Sequence, residues 1–265
     1  IYNNVIRNDS YGIGLSLSLG GVIFNNTIEN NLDLGLGIDS SSEFEIHSNI
    51  VKGNENYGIF LFSASDNKIF YNLIQYNGYN GLVIHSNSNY NDIHNNVIRD
   101  NKNNGIFIYS SIMNDIHENI IENNSKDGLV ITESSLNEIF NNTIQNNHIG
   151  IGLGESFRND IYSNLIKNNT YEGIYLGYSF INLIHNNIIK NSYHGIEIFY
   201  SRSNYICENL IFNNDDAYSL HEISRLPLCI FPILSPSAYT ITYLISGLSI
   251  PLRISFFPRS LWNML

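Results

Sequence analysis

The sequence predicts an all-β, right-handed parallel β-helix, a solenoid of three short strands per coil, and three observations carry that reading. Glycine followed by Ile or Leu recurs at 12, 35, 58, 81, 105, 128, 150, 173 and 195, at intervals of 23, 23, 23, 24, 23, 22, 23 and 22 residues. A fixed period in the twenties marks a solenoid whose units stack on their neighbours. Within each unit, three short apolar stretches alternate with period two between Ser and Asn clusters, the pattern of strands joined by turns. No segment keeps apolar residues at i, i+3, i+4 and i+7 for even two helical turns, which sets aside helical repeats. A leucine-rich repeat is the nearest competitor by length, but it lacks three strand-like stretches with a polar residue at each corner.

The elements follow in order from the copy Gly105 to Asn124, GIFIYSSIMNDIHENIIENN. The first strand begins after the glycine, with one apolar column running Ile13, Leu36, Ile59, Leu82, Ile106, Leu129, Ile151, Ile174, Ile196 and a second running from Leu15 to Ile198. The second strand contributes the column Ile23 to Ile206, and the third the column Ile6 to Ile211. Branched residues suit pleated strands and fill a narrow interior. Asn also runs in a column, Asn4, Asn26, Asn49, Asn72, Asn96, Asn119, Asn142, Asn164, Asn187 and Asn209. Asn tolerates left-handed backbone at a corner, and its amide can bond to the next copy, so this column reads as a structural ladder.

The repeat occupies residues 1–224, nine to ten coils, which at about 4.8 Å per coil make a rod of roughly 45 Å. It opens inside a coil, because Ile1, Asn4 and Ile6 match Ile23, Asn26 and Ile28; a cap and any signal segment are expected to precede Ile1. Residues 217–220 still imitate a first strand. From 225 to 265 the chain changes character: residues 226–252 carry no charge, four prolines interrupt an apolar run, and the only Asn is Asn263. This tail reads as an out-of-frame continuation, with an end cap or interaction segment as the rival. Its longest stretch free of proline, 237–250, is short for a membrane span, so membrane attachment is disfavoured.

The net charge of −11 disfavours a phosphate backbone, so nucleic acid is not an expected partner. Cys207 and Cys229 are the two cysteines, without C-x-x-C or Cys/His spacing, so neither a disulfide framework nor a structural zinc site is indicated.

Outward positions carry the candidate chemistry. Beside the second-strand Ile, one column reads Val22, Glu45, Lys68, Asp92, Asp115, Glu138, Asp160, Leu183, Tyr205 and the other Phe24, His47, Phe70, His94, His117, Phe140, Tyr162, His185, Cys207. Asp92, His94, Asp115 and His117 thereby form a rectangle of roughly 5 by 7 Å. Stacked carboxylates raise a pKa or recruit a cation, and imidazoles suit a transition metal, so calcium, copper or zinc would be the ions to try. Carboxylates at that spacing also suit an acid and nucleophile pair in glycoside cleavage, while the plainest reading is Asp and His pairing across coils on a polar face. No catalytic residue can be assigned.

The first strand presents Phe60, Phe62, His85, Phe107 and Tyr109, then Tyr175 and Phe199, with Gly14, Gly37, Gly152, Gly154 and Gly177 at equivalent places. Rings spaced by whole coils could stack on sugar faces; the alternative is a sheet covered by a loop or partner. Arg7, Lys52, Arg99, Lys167 and Lys190 share a column with Glu29 and Glu122, a solvated face of alternating charge.

The pairing of S-x-x-N-x-I-x-x-N-x-I with N-N-x-x-G-I-x-I resembles the repeat of NosD-like periplasmic proteins and the carbohydrate-binding and sugar-hydrolysis group of β-helices, across about residues 1–224. The resemblance implies an extracytoplasmic protein, secreted, periplasmic or at the cell surface, that binds polysaccharide or glycan chains. It leaves as alternatives a structural or surface rod acting through protein contacts, a periplasmic copper-handling accessory protein using the Asp92 and His94 rectangle, and a polysaccharide lyase or hydrolase. The clustered acids and basic partner of a pectate-lyase-type site cannot be matched residue by residue.

Overall fold

The computed structural model describes residues 1–221 and, for backbone only, 241–245 and 248–252. Three parallel sheets wrap the solenoid. The first-strand sheet runs from Ile13–Ser16 to Asp216–His221, the second from Leu19–Phe24 to Tyr205–Cys207, and the third from Val5–Arg7 to Leu210–Phe212. Each strand pairs in parallel with its counterpart one coil away, in the register read from the repeat: Ile93 lies beside Ile116, Ile84 beside Ile108, and Ile98 beside Ile121. The expected nine to ten coils appear as nine strands in the second sheet and ten in the third.

The interior is a continuous stack made chiefly of Ile, Leu and Val, nearly all without solvent contact, with Phe44 and Tyr218 towards its two ends. Each such side chain contributes roughly 1.5–3 kcal/mol by leaving water. The glycine that heads each first strand is required by crowding between coils. A Cβ on Gly81 would lie 2.6 Å from Ile98 Cγ2 and 2.7 Å from the Gly105 carbonyl oxygen, and the same contacts repeat from coil to coil.

The corners hold more than the one expected ladder. Buried Asn side chains form three ladders, Asn26 to Asn209, Asn31 to Asn169 and Asn67 to Asn204, and buried serines form a fourth. Asn119 is representative. Its Oδ1 accepts from Asn96 N at 2.9 Å and Asn96 Nδ2 at 3.0 Å, while its Nδ2 donates to Ile93 O at 2.8 Å and Asn142 Oδ1 at 3.1 Å. Every polar atom of the amide is used, as a buried group requires. The left-handed backbone falls on the residue just before the ladder side chain, not on the ladder Asn itself: Tyr71 and Glu118 have φ of 53° and 54°. The strain of such a residue, about 1–2 kcal/mol, recurs in every coil and is offset by the ladder bonds it allows.

The basic column alternates with its acids only at one end, where Lys52 Nζ lies 3.0 Å from Glu29 and Arg7 3.8 Å from the same carboxylate; Arg99 turns instead to Gln75 and Asp100, and Lys167 lies beside Lys190 in register. Residues 217–220 do continue the first-strand sheet, within Asp216–His221. Ile241–Ile245 then pairs in parallel with that strand, and Leu248–Leu252 folds back antiparallel. The rest of the 225–265 tail, with Cys229, lies outside the described residues. Among the described residues no helix is long and apolar enough to cross a membrane.

Candidate functional site

With the interior filled by aliphatic side chains, chemistry is confined to the outward positions. On the second sheet the structure brings Asp92, His94, Asp115 and His117 together, Asp92 beside Asp115 and His94 beside His117. His117 Nε2 lies 3.0 Å from Asp92 Oδ1, one coil away, and His94 Nε2 3.9 Å from the same carboxylate. Burial, then the Glu138 and Asp92 charges, push the Asp115 carboxyl above its ordinary value. The two imidazoles belong to a longer series: Tyr2, Phe24, His47, Phe70, His94, His117, Phe140, Tyr162 and His185 stack face to face with centroids 4.7 to 5.3 Å apart. In-register parallel strands impose this spacing on any column of flat rings. The His94 and His117 planes differ by 9°. Their nitrogen lone pairs lie in those planes and run side by side, so a shared ion would require one ring to leave the stack.

On the first-strand sheet the expected aromatic residues form one contiguous platform. Phe60 lies 6.3 Å from Phe62 and 6.1 Å from His85, and His85 lies 5.8 Å from Phe62 and 4.9 Å from Tyr109, which stacks on Phe107 at 6.2 Å. Val83 sits between Phe60 and Phe107 in register and is buried, while Phe62 stays 39% exposed. Burial lowers the His85 pKa, favouring a neutral ring. Two further rings come from the corner before the glycine, Tyr57 on Phe60 at 5.2 Å and Tyr79 edge-on to Tyr57 at 5.5 Å.

The last coils of the same sheet hold a grouping absent from the sequence reading. Glu172, His194 and Asp216 stand in one column. His194 Nδ1 is 3.2 Å from Glu197 Oε2 and 3.6 Å from Glu172 Oε1, its Nε2 is 3.6 Å from Asp216 Oδ2, and His221 Nε2 is 3.6 Å from Glu197 Oε1. Burial, followed by the Glu197 carboxylate beside it, pushes the Glu172 carboxyl up to about 7. The sequence signal was available one residue before each glycine, and before Ala217 in the last coil, where Asp127, Glu172, His194 and Asp216 replace the neutral residues of earlier coils. That position lies outside the alternation that defines the strand.

Two shallow depressions of the surface lie elsewhere, along the corner after the third strand. One is lined by Gly53, Glu55, Tyr76 and Lys102, the other by Thr170, Tyr193, Asn213 and Asp215. The second includes the residues immediately before His194 and Asp216.

Known proteins place this geometry in context. By fold the chain is similar to a variant of the periplasmic alginate epimerase AlgG, with a TM-score of 0.64 and 15% identity over 87% of this chain and 76% of that one. It is similar also to the A-module of the Azotobacter vinelandii mannuronan C-5 epimerase AlgE4, with a TM-score of 0.66 and 14% identity over 93% and 83%. The enzymatically active domain of bacteriophage CBA120 tailspike protein 2 superposes with a TM-score of 0.64 and 11% identity over 82% of this chain and 42% of that one. No match is found among curated proteins. The model of the periplasmic copper-binding protein NosD matches residues 1–102. That of the right-handed beta helix region matches residues 84–224, more than half the chain, and with the three-sheet solenoid it shows that this protein belongs to the right-handed β-helix family.

Proposed function

We propose that this protein binds a polysaccharide or glycan chain along the outer face of its first-strand sheet, with Phe60, Phe62, His85, Phe107 and Tyr109 as the stacking platform, and that it works outside the cytoplasm. The observation that carries this reading is the contiguity of those rings across three coils, with Phe62 presented to solvent. Flat apolar faces with polar edges match the faces of pyranose rings, and His85 Nδ1 is held 2.6 Å from Ser86 Oγ, leaving its ring plane fixed. A long rigid sheet also suits an extended polymer better than a compact ligand. The family supports the reading, since NosD is named a periplasmic protein and two similar folds are named for alginate and mannuronan epimerases.

The test is retention on an array of polysaccharides that includes alginate, comparing the native chain with Phe60→Ala combined with Phe107→Ala. Aromatic contacts of about 0.5–1.5 kcal/mol each predict that retention weakens by about tenfold or more while the fold is kept. Unchanged retention would reject this surface. Self-association without any glycan retention would favour the structural rod instead.

A further inference from the structure

We infer that Glu172, His194 and Glu197 form a binding site for a borderline divalent cation of the zinc type, with Asp216 orienting the imidazole and one coordination position left to water or ligand. One donor atom from each of the three side chains lies within 4.8 Å of the others. The separations of 3.2 Å and 3.6 Å from His194 Nδ1 to the two carboxylates are close to what a tetrahedral ion demands. Metal–donor bonds of about 2.0–2.2 Å put neighbouring donors roughly 3.3–3.6 Å apart.

Three further features point the same way. His194 offers Nδ1 to the carboxylates while Nε2 faces Asp216 at 3.6 Å, an ion-pair distance that a small shift of the ring would close to the carboxylate–histidine hydrogen bond that fixes tautomer and ring orientation at metal centres. The side chains of Glu172, His194 and Glu197 are only 9%, 15% and 16% exposed. Two carboxylates held side by side away from water repel unless a proton or a cation lies between them. Finally, one imidazole with two carboxylates and no thiolate is a donor set for zinc-like ions rather than for calcium, which takes oxygen alone. His221, 3.6 Å from the other oxygen of Glu197, steadies that carboxylate. The cluster lies beyond residues 1–102, the part matched by the NosD model, and away from the stacked His94 and His117.

The experiment is calorimetric titration of the metal-stripped full chain with Zn²⁺ alone, on the native protein, His194→Gln, Glu197→Gln and the His94→Ala/His117→Ala pair. The expected result is one equivalent bound by the native chain and by the His94/His117 variant, at least tenfold weaker binding in the other two, and no competition from Ca²⁺. A second measurement needs no variant: bound zinc should protect His194 from acylation by diethyl pyrocarbonate, read by peptide mass, and leave His94 and His117 unprotected. Absence of zinc binding, loss of binding in the His94/His117 pair, or equal labelling of His194 with and without zinc overturns the assignment.

Discussion

Two stretches of the first-strand sheet share a backbone and an interior but present opposite surfaces. In the coils headed by Gly58, Gly81 and Gly105, the outward positions carry Phe60, Phe62, His85, Phe107 and Tyr109, with Tyr57 at the preceding corner. In those headed by Gly173 and Gly195 the equivalent positions carry Tyr175, Glu197 and Phe199, preceded by Glu172 and His194. Between them the coils headed by Gly128 and Gly150 carry only Val130 and Thr132, then Gly152 and Gly154, at these positions. The buried Ile and Leu columns run through all of it unchanged. The scaffold is therefore indifferent to what it displays, and a few outward positions per coil decide whether a stretch is an apolar platform or a cluster of ionisable groups.

If the two surfaces are separate decorations on one cooperative scaffold, a scaffold defect should disable both and a surface defect only one. The largest effect is expected from Gly105→Val, whose Cβ would lie 2.6 Å from the Gly128 carbonyl oxygen. Overpacking against backbone should cost about 3 kcal/mol, and chemical denaturation should show one transition that removes glycan retention and zinc binding together. Separate losses would mean that the two stretches fold independently. Asn119→Ala comes next, since it leaves the Asn96 and Ile93 backbone groups without their buried partner; about 2 kcal/mol is expected, in the same single transition.

The smallest effect isolates the platform. Because burial depresses the His85 pKa below 6.5, the unfolded chain takes up this proton first as pH falls. The contribution is complete above about 6.5 and drains away as pH drops through the lower folded-state value. His85→Phe should flatten the fall in melting temperature between neutral and mildly acid pH by about 1–2 °C, with zinc binding unaltered. A variant that melts in parallel with the native chain at every pH would show that this ring titrates freely.

Most of the fold could be read from the repeat because a solenoid writes each contact many times. One glycine column, four apolar columns and one Asn column define strand, register and corner. The remaining ladders were harder to see because the corner residues around them vary: before the ladder that starts at Asn67, the left-handed position accepts Asp66, Tyr90, Met113 or Leu136 in successive coils, and only the buried neighbour repeats. The Asp92 and His94 rectangle was located by its register, but the stacking that fixes its imidazole planes depends on Phe70 and Phe140 on either side. The Glu172, His194 and Glu197 grouping was missed for a different reason. It joins a residue before the glycine to one after it, across two coils, and occurs only where the repeat is ending.

The Asn and Ser ladders give the rod a property of measurement. Since each rung repeats the one before, whole coils could be added or removed without inventing a new contact, and every such change moves one end of the first-strand sheet relative to the other by a single step of about 4.8 Å. The aromatic platform ending at Gly105 and the cluster beginning at Gly173 are three headings apart, roughly 14 Å along the axis. In this molecule distance is counted in whole units, and a ligand that touched both places would be gauged by the number of coils between them.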